Sequence, residues 1–173
     1  MRRLILSVLI GVGVMFGSPV IALNVQCALS KYQSVATAQE IWQRAIATQI
    51  ISVSPHLKDV TNQYLSDQLL LIEMNRIAVE ALLTISPDKL RLDAPVTQWV
   101  ALSATDKEAI SRSNKRYAEM LKQVDVSAKR PPHPNGDELR ALMRERISRS
   151  SEYQTQLAKL NEVIVGANSR VCR

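Results

Sequence analysis

The chain has 173 residues, a formal net charge of +6, two cysteines, two histidines, five glycines and only 4% aromatic residues. So few rings and glycines, against abundant Ala, Leu, Ile, Gln, Glu and Arg, exclude a sheet-rich domain and favour helix. His56 and His133 belong to no His-x3-His, Glu-x2-His or Cys-x2-Cys arrangement, which excludes an arguable zinc, di-iron or haem site, and no cofactor is expected. A phosphate-cradling glycine loop and a nucleophile elbow are also missing, so no catalytic signature is legible.

Residues 1–22 follow the plan of a cleavable export signal. Arg2 and Arg3 supply the positive start, Leu4 to Phe16 is uncharged and apolar, and Gly17-Ser18-Pro19 breaks it ahead of Val20-Ile21-Ala22. That apolar run falls short of the roughly 20 residues that span a bilayer, so no stable transmembrane segment is expected after processing. Residues 23–173 then form a single domain, periplasmic or secreted. In an oxidising compartment Cys27 and Cys172 pair most simply with each other.

Charge is uneven along that domain. Leu23 to Val100 carries 6 basic and 7 acidic residues, whereas Ala101 to Arg173 carries 14 basic and 9 acidic. A basic second half suits an anionic surface or small molecule as partner. Nucleic acid is not expected, because the basic residues are neither concentrated nor interleaved with aromatics.

The apolar periodicity predicts four long helices. The first covers about Val25 to Val53, with Tyr32, Val35, Trp42, Ile46 and Ile50 on one face. Ser54-Pro55 opens the second, to Ile85, whose Leu69-Leu70-Leu71-Ile72 turn argues for a central position. A longer connection follows, with a short helix near Pro95 to Leu102 that sets Trp99 against the core. Thr105 to Glu108 fits a capping box, opening a third helix to about Val124. Lys129 to Gly136, with three prolines, is an extended linker. The fourth helix runs from Asp137 to about Val165, with Gly166 as its terminator. The expected fold is therefore all-α: an antiparallel up-down-up-down four-helix bundle with a short extra helix in the second connection. An even number of passes brings both ends together, where Cys27 and Cys172 close the chain.

Polar residues interrupt the apolar seams. Gln68 and Asn75 lie seven apart on one face of the second helix and need partners if buried. Glu73, Arg76 and Glu80 form an ion-pair ladder on another face. In the third helix the seam passes from Ile110 through Asn114 to Tyr117; in the fourth, from Met143 through Arg146 and Ser150 to Tyr153. Stacked side by side, these gaps suggest a mid-bundle pocket in which Arg44, Gln68, Asn75, Arg116 and Arg146 receive a small anion. The first expectation for function is an exported bundle that binds an envelope or extracellular protein without catalysis. The alternatives are a small-anion binder or metal-free enzyme using interior arginines, and an envelope chaperone-like bundle.

Overall fold

Asn24 starts the first helix: its side-chain oxygen accepts the Cys27 N–H at 3.0 Å, satisfying one of the free donors of the first turn. The computed structural model describes residues 23–172, and the expected export signal, residues 1–22, lies outside the described residues. Helix α1 (Val25–Val53) ends at Ser54, and a single 3-10 turn, Pro55–Leu57, leads into α2 (Lys58–Ile85). Pro55 suits that position because its missing N–H would have no partner there. The connection 86–103 carries two further 3-10 turns, Pro87–Lys89 and Val96–Gln98. Then come α3 (Ala104–Ser113), α4 (Lys115–Ala128), the proline-rich linker, α5 (Gly136–Glu145), a 3-10 turn at Ile147–Arg149, and α6 (Ser151–Ser169). The fold is all-α, with six helices packed together and no strand among the described residues.

The third and fourth helices expected from periodicity are thus each broken in two, and the breaks fall at the polar residues that interrupt their seams. Asn114 ends α3 and caps α4, its side chain accepting the Tyr117 N–H at 3.0 Å. Ser150 caps α6 in the same way, accepting the Tyr153 N–H at 3.2 Å. Short Asn and Ser side chains compete with the helix for backbone hydrogen bonds, so these residues interrupt the helix itself and not merely its apolar stripe. Two smaller corrections follow the same logic. The capping box of α3 is Ser103 with Asp106, two residues earlier than Thr105 with Glu108. Gly166 does not stop α6, which continues to Ser169 because Ala167 is buried beyond it.

Helices α1 and α6 run antiparallel. At one end the Asn24 N–H donates to the Cys172 carbonyl, and at the other Gln49 Nε2 donates to Ser150 Oγ at 2.8 Å. The disulfide Cys27–Cys172 closes the first of these ends, with Cα atoms 5.4 Å apart and a sequence separation of 145. There the larger core gathers Tyr32, Val35, Ile77, Val79, Leu83 and Tyr117. Trp99 completes it, donating to the Ala94 carbonyl and stacking on Tyr32 with ring centroids 6.0 Å apart. Burial in this layer pushes the Tyr32 phenol up to about 12, against the pull of nearby Arg76.

A second, smaller core occupies the other end: Ile46, Ile50, Leu57, Val60, Leu139 and Ile147, with Trp42, Met143 and Tyr153 at its edge. Between the two, the most apolar turn of α2 is not its most buried. Leu69, Leu70 and Ile72 are half-buried and Leu71 is exposed. Its apolar residues continue all round the helix, so they cannot all face α1 and the neighbouring legs.

In the loop-entropy view a bridge closing so long a segment contributes about 5 kcal/mol, and commonly less in practice. Reduction is therefore expected to lower unfolding stability by about 3–5 kcal/mol, read from urea midpoints with and without dithiothreitol. Ser150→Ala removes a cap and strands the buried Gln49 amide, and should cost about 2 kcal/mol in the same assay.

Candidate functional site

The proline-rich linker cannot be helical, and it crosses from α4 to α5 along the open side of the second core. It turns back at His133, whose carbonyl accepts the Gly136 N–H at 2.8 Å while its Nδ1 accepts the Asn135 N–H at 3.1 Å. Helix α5 then starts with Asp137 and Glu138 in its first turn, where the helix dipole favours negative charge. Its apolar stripe, Leu139, Leu142 and Met143, is spaced three and four and packs toward α1 and α2.

Two side-chain contacts pin this segment to the body. His56, in the turn between α1 and α2, meets Glu138 at 2.7 Å. Arg130 meets Asp67 of α2 at 3.3 Å. Both are largely solvent-accessible and contribute little stability individually, but they set where the linker and α5 stand.

Helix α5 does not close down fully on α1 and α2. The gap is a half-open cleft of about 670 Å³. Its floor is aliphatic: Ile46, Ala47 and Ile50 from α1, Val60 from α2, Leu139 and Met143 from α5. Its mouth is polar, carrying Gln43, Gln63, Tyr64, Asp67 and His133 together with Asp137, Arg140 and Arg144. That volume falls within the range of roughly 300–1,000 Å³ typical of small-molecule sites, and the division into apolar floor and polar edge is typical too.

Polar satisfaction is incomplete at this end of the molecule. Among the described residues, three buried side-chain atoms lack a hydrogen-bond partner: Trp42 Nε1, Gln49 Oε1 and the Thr61 hydroxyl. All three belong to residues around the second core, and Thr61, only 1% exposed, also lines the cleft. A helical threonine can bond back to the preceding turn, but this one does not, so its desolvation is uncompensated.

The five residues expected to form an anion pocket are not brought together in this cleft. Arg44, Arg116 and Arg146 are exposed, not interior. Gln68 and Asn75 are half-buried on α2 with no side-chain hydrogen bond among the described residues. Arg146 follows the end of α5, where its backbone caps the helix. Arg116 meets Glu73 at 2.7 Å. Glu73 is shared with Arg76, which also reaches Glu40 of α1 at 2.5 Å. The face read as a ladder along α2 is therefore an ion network tying α1, α2 and α4 together, and Glu80 stands exposed outside it. Long arginine stems leave an apolar seam for water whenever their charge has no buried partner.

The cleft itself escaped the periodicity analysis because its walls are brought together only when α5 breaks from α6. One local signal for it exists: an apolar i, i+3, i+4 stripe flanked by Arg140 and Arg144, directly after a proline-rich linker. Among the described residues no group of three His, Cys, Asp or Glu side chains is placed to hold a metal ion, and no helix is long and apolar enough to cross a membrane. Comparison with known protein families, curated proteins and solved structures finds no match.

Thr61→Val keeps the shape and removes the orphaned hydroxyl. It should leave the fold intact and raise stability by up to about 1 kcal/mol, measured by thermal or urea unfolding.

Proposed function

We propose that this chain is an exported, disulfide-closed helical bundle that binds an apolar ligand in the cleft between α1, α2 and α5 and performs no chemistry of its own. On this reading the six helices follow an up-down-up-down path of four legs, with the third and fourth legs interrupted at Asn114 and Ser150. The observation that carries the proposal is the cleft: an aliphatic floor open to solvent, edged by polar groups, beside a buried hydroxyl without a partner. Leaving such a floor wet costs free energy that a ligand recovers. Export is supported by the charged-then-apolar opening of the sequence together with the Cys27–Cys172 bond, since such bonds persist in oxidising compartments. The reading through interior arginines loses its footing, because those arginines are exposed.

The test uses the full chain expressed in a bacterial host. The exported fraction should contain a species with the mass of residues 23–173 less two hydrogens for the disulfide. That species should bind the neutral apolar dye Nile red saturably. Gln43→Trp, which places a large ring at the cleft mouth, should weaken dye binding about tenfold, a loss of about 1.4 kcal/mol. Retention of the intact 173-residue chain inside the cell would overturn the export half. Dye binding that is unsaturable, or indifferent to the tryptophan, would overturn the cleft half.

A further inference from the structure

We infer that the ligand of this cleft is an anionic amphiphile: a flexible aliphatic chain lying on the floor, with a carboxylate-like head held at the α5 edge by Arg144. The inference rests on the reading of the cleft as a binding site and adds the chemical class of what enters it.

The chain half follows from the floor. Its side chains are four branched aliphatics, one alanine and one methionine, with no aromatic ring among them. The rings that do line the cleft, Tyr64 and His133, stand at the mouth and not on the floor, with Tyr64 51% exposed. A flat ligand would have nothing to stack against, whereas a flexible chain can follow an irregular aliphatic surface. Met143 can adapt to that chain through its unbranched side chain.

The head half follows from the charges. Both carboxylates that line the cleft already have an arginine: Arg130 holds Asp67 at 3.3 Å, and Arg140 holds Asp137. Arg144 stands one turn beyond Arg140 on α5 and also lines the cleft. Its one ion pair among the described residues is with its chain neighbour Glu145 at 3.3 Å, with side chains 73% and 63% exposed. An adjacent-residue pair so open to water is weak and easily exchanged. The edge therefore keeps one guanidinium whose partner is a carboxylate outside the cleft lining, in a pair open enough to exchange for a ligand carboxylate held in a two-point contact. Gln43 and Gln63, both half-buried and without a side-chain hydrogen bond among the described residues, add amide donors at the same mouth. The unpartnered Thr61 hydroxyl independently marks the cleft as short of a polar partner.

The experiment titrates oxidised protein of residues 23–173 with decanoate, decyltrimethylammonium and 1-decanol, each below its self-association concentration, by calorimetry. Decanoate should bind about tenfold or more tightly than the cation, as expected when one charge-assisted contact is gained. Arg144→Gln should erase most of that preference and leave decanol affinity unchanged. Gln43→Trp should weaken all three. If decanoate and the cation bind alike, or Arg144→Gln leaves their ratio intact, the head-group inference falls while the cleft reading stands. If none of the three binds, or Gln43→Trp changes nothing, the cleft reading falls as well. Binding of an amphipathic helical peptide in place of all three amphiphiles would equally overturn the small-amphiphile inference.

Discussion

The Ser150 hydroxyl makes three hydrogen bonds at one point in space. It donates to the Ile147 carbonyl at 2.7 Å, and accepts from the Tyr153 N–H at 3.2 Å and from Gln49 Nε2 at 2.8 Å. The first closes the turn that ends the α5 segment, the second starts α6, and the third ties both to the buried side of α1. One side chain thereby decides that the C-terminal helical segment is divided into α5 and α6, and where. Everything at the open end depends on that decision, because a continuous helix from 137 to 165 would follow a single direction and could not leave α6 packed while α5 stands off the floor.

The two ends of the molecule are built on different terms. At the closed end a disulfide, a stacked Tyr32–Trp99 pair and a large apolar cluster hold the chain ends and the 86–103 connection together. Val96 donates its N–H to the Asn168 side chain at 2.9 Å, binding that connection to α6. At the open end the core is smaller, its wall is pinned by the His56–Glu138 and Arg130–Asp67 contacts, and the unpartnered buried polar atoms of the described residues collect there. Stability concentrated at one end permits an incompletely packed site at the other, as the low-stability regions of proteins generally carry their binding surfaces.

Beside the larger core, the ion network of Glu40, Glu73, Arg76 and Arg116 joins three helices. Arg76 meets two carboxylates and Glu73 two guanidiniums, so neither member of the central pair is left with a single partner. Such a network fixes the relative register of α1, α2 and α4 more than it adds net stability, because desolvating the charges offsets much of their attraction. It consumes Arg116, an arginine that sequence alone offers as an anion receptor.

Local chemistry was enough to establish the helical class, the bounds of α1 and nearly those of α2, the turn at Pro55, the extended linker, the placing of Trp99 against the core and the pairing of Cys27 with Cys172. Periodicity and proline geometry act within a few residues, and an oxidised pair of cysteines is found by simple counting, so they can be read along the chain. What periodicity could not distinguish is a polar residue that faces a pocket from a polar residue that breaks a helix. Asn114 and Ser150 fit both descriptions, since each interrupts an apolar seam, and only the backbone hydrogen bonds they accept separate the two. Whether an arginine points inward is likewise undetermined by spacing: Arg44 and Arg146 lie exposed with no ion pair among the described residues, and Arg116 is paired with Glu73 at the surface. The cleft was decided by tertiary structure alone. It joins residues from α1, α2 and α5 that are up to a hundred positions apart, and its volume is the space left where three imperfectly matched surfaces meet.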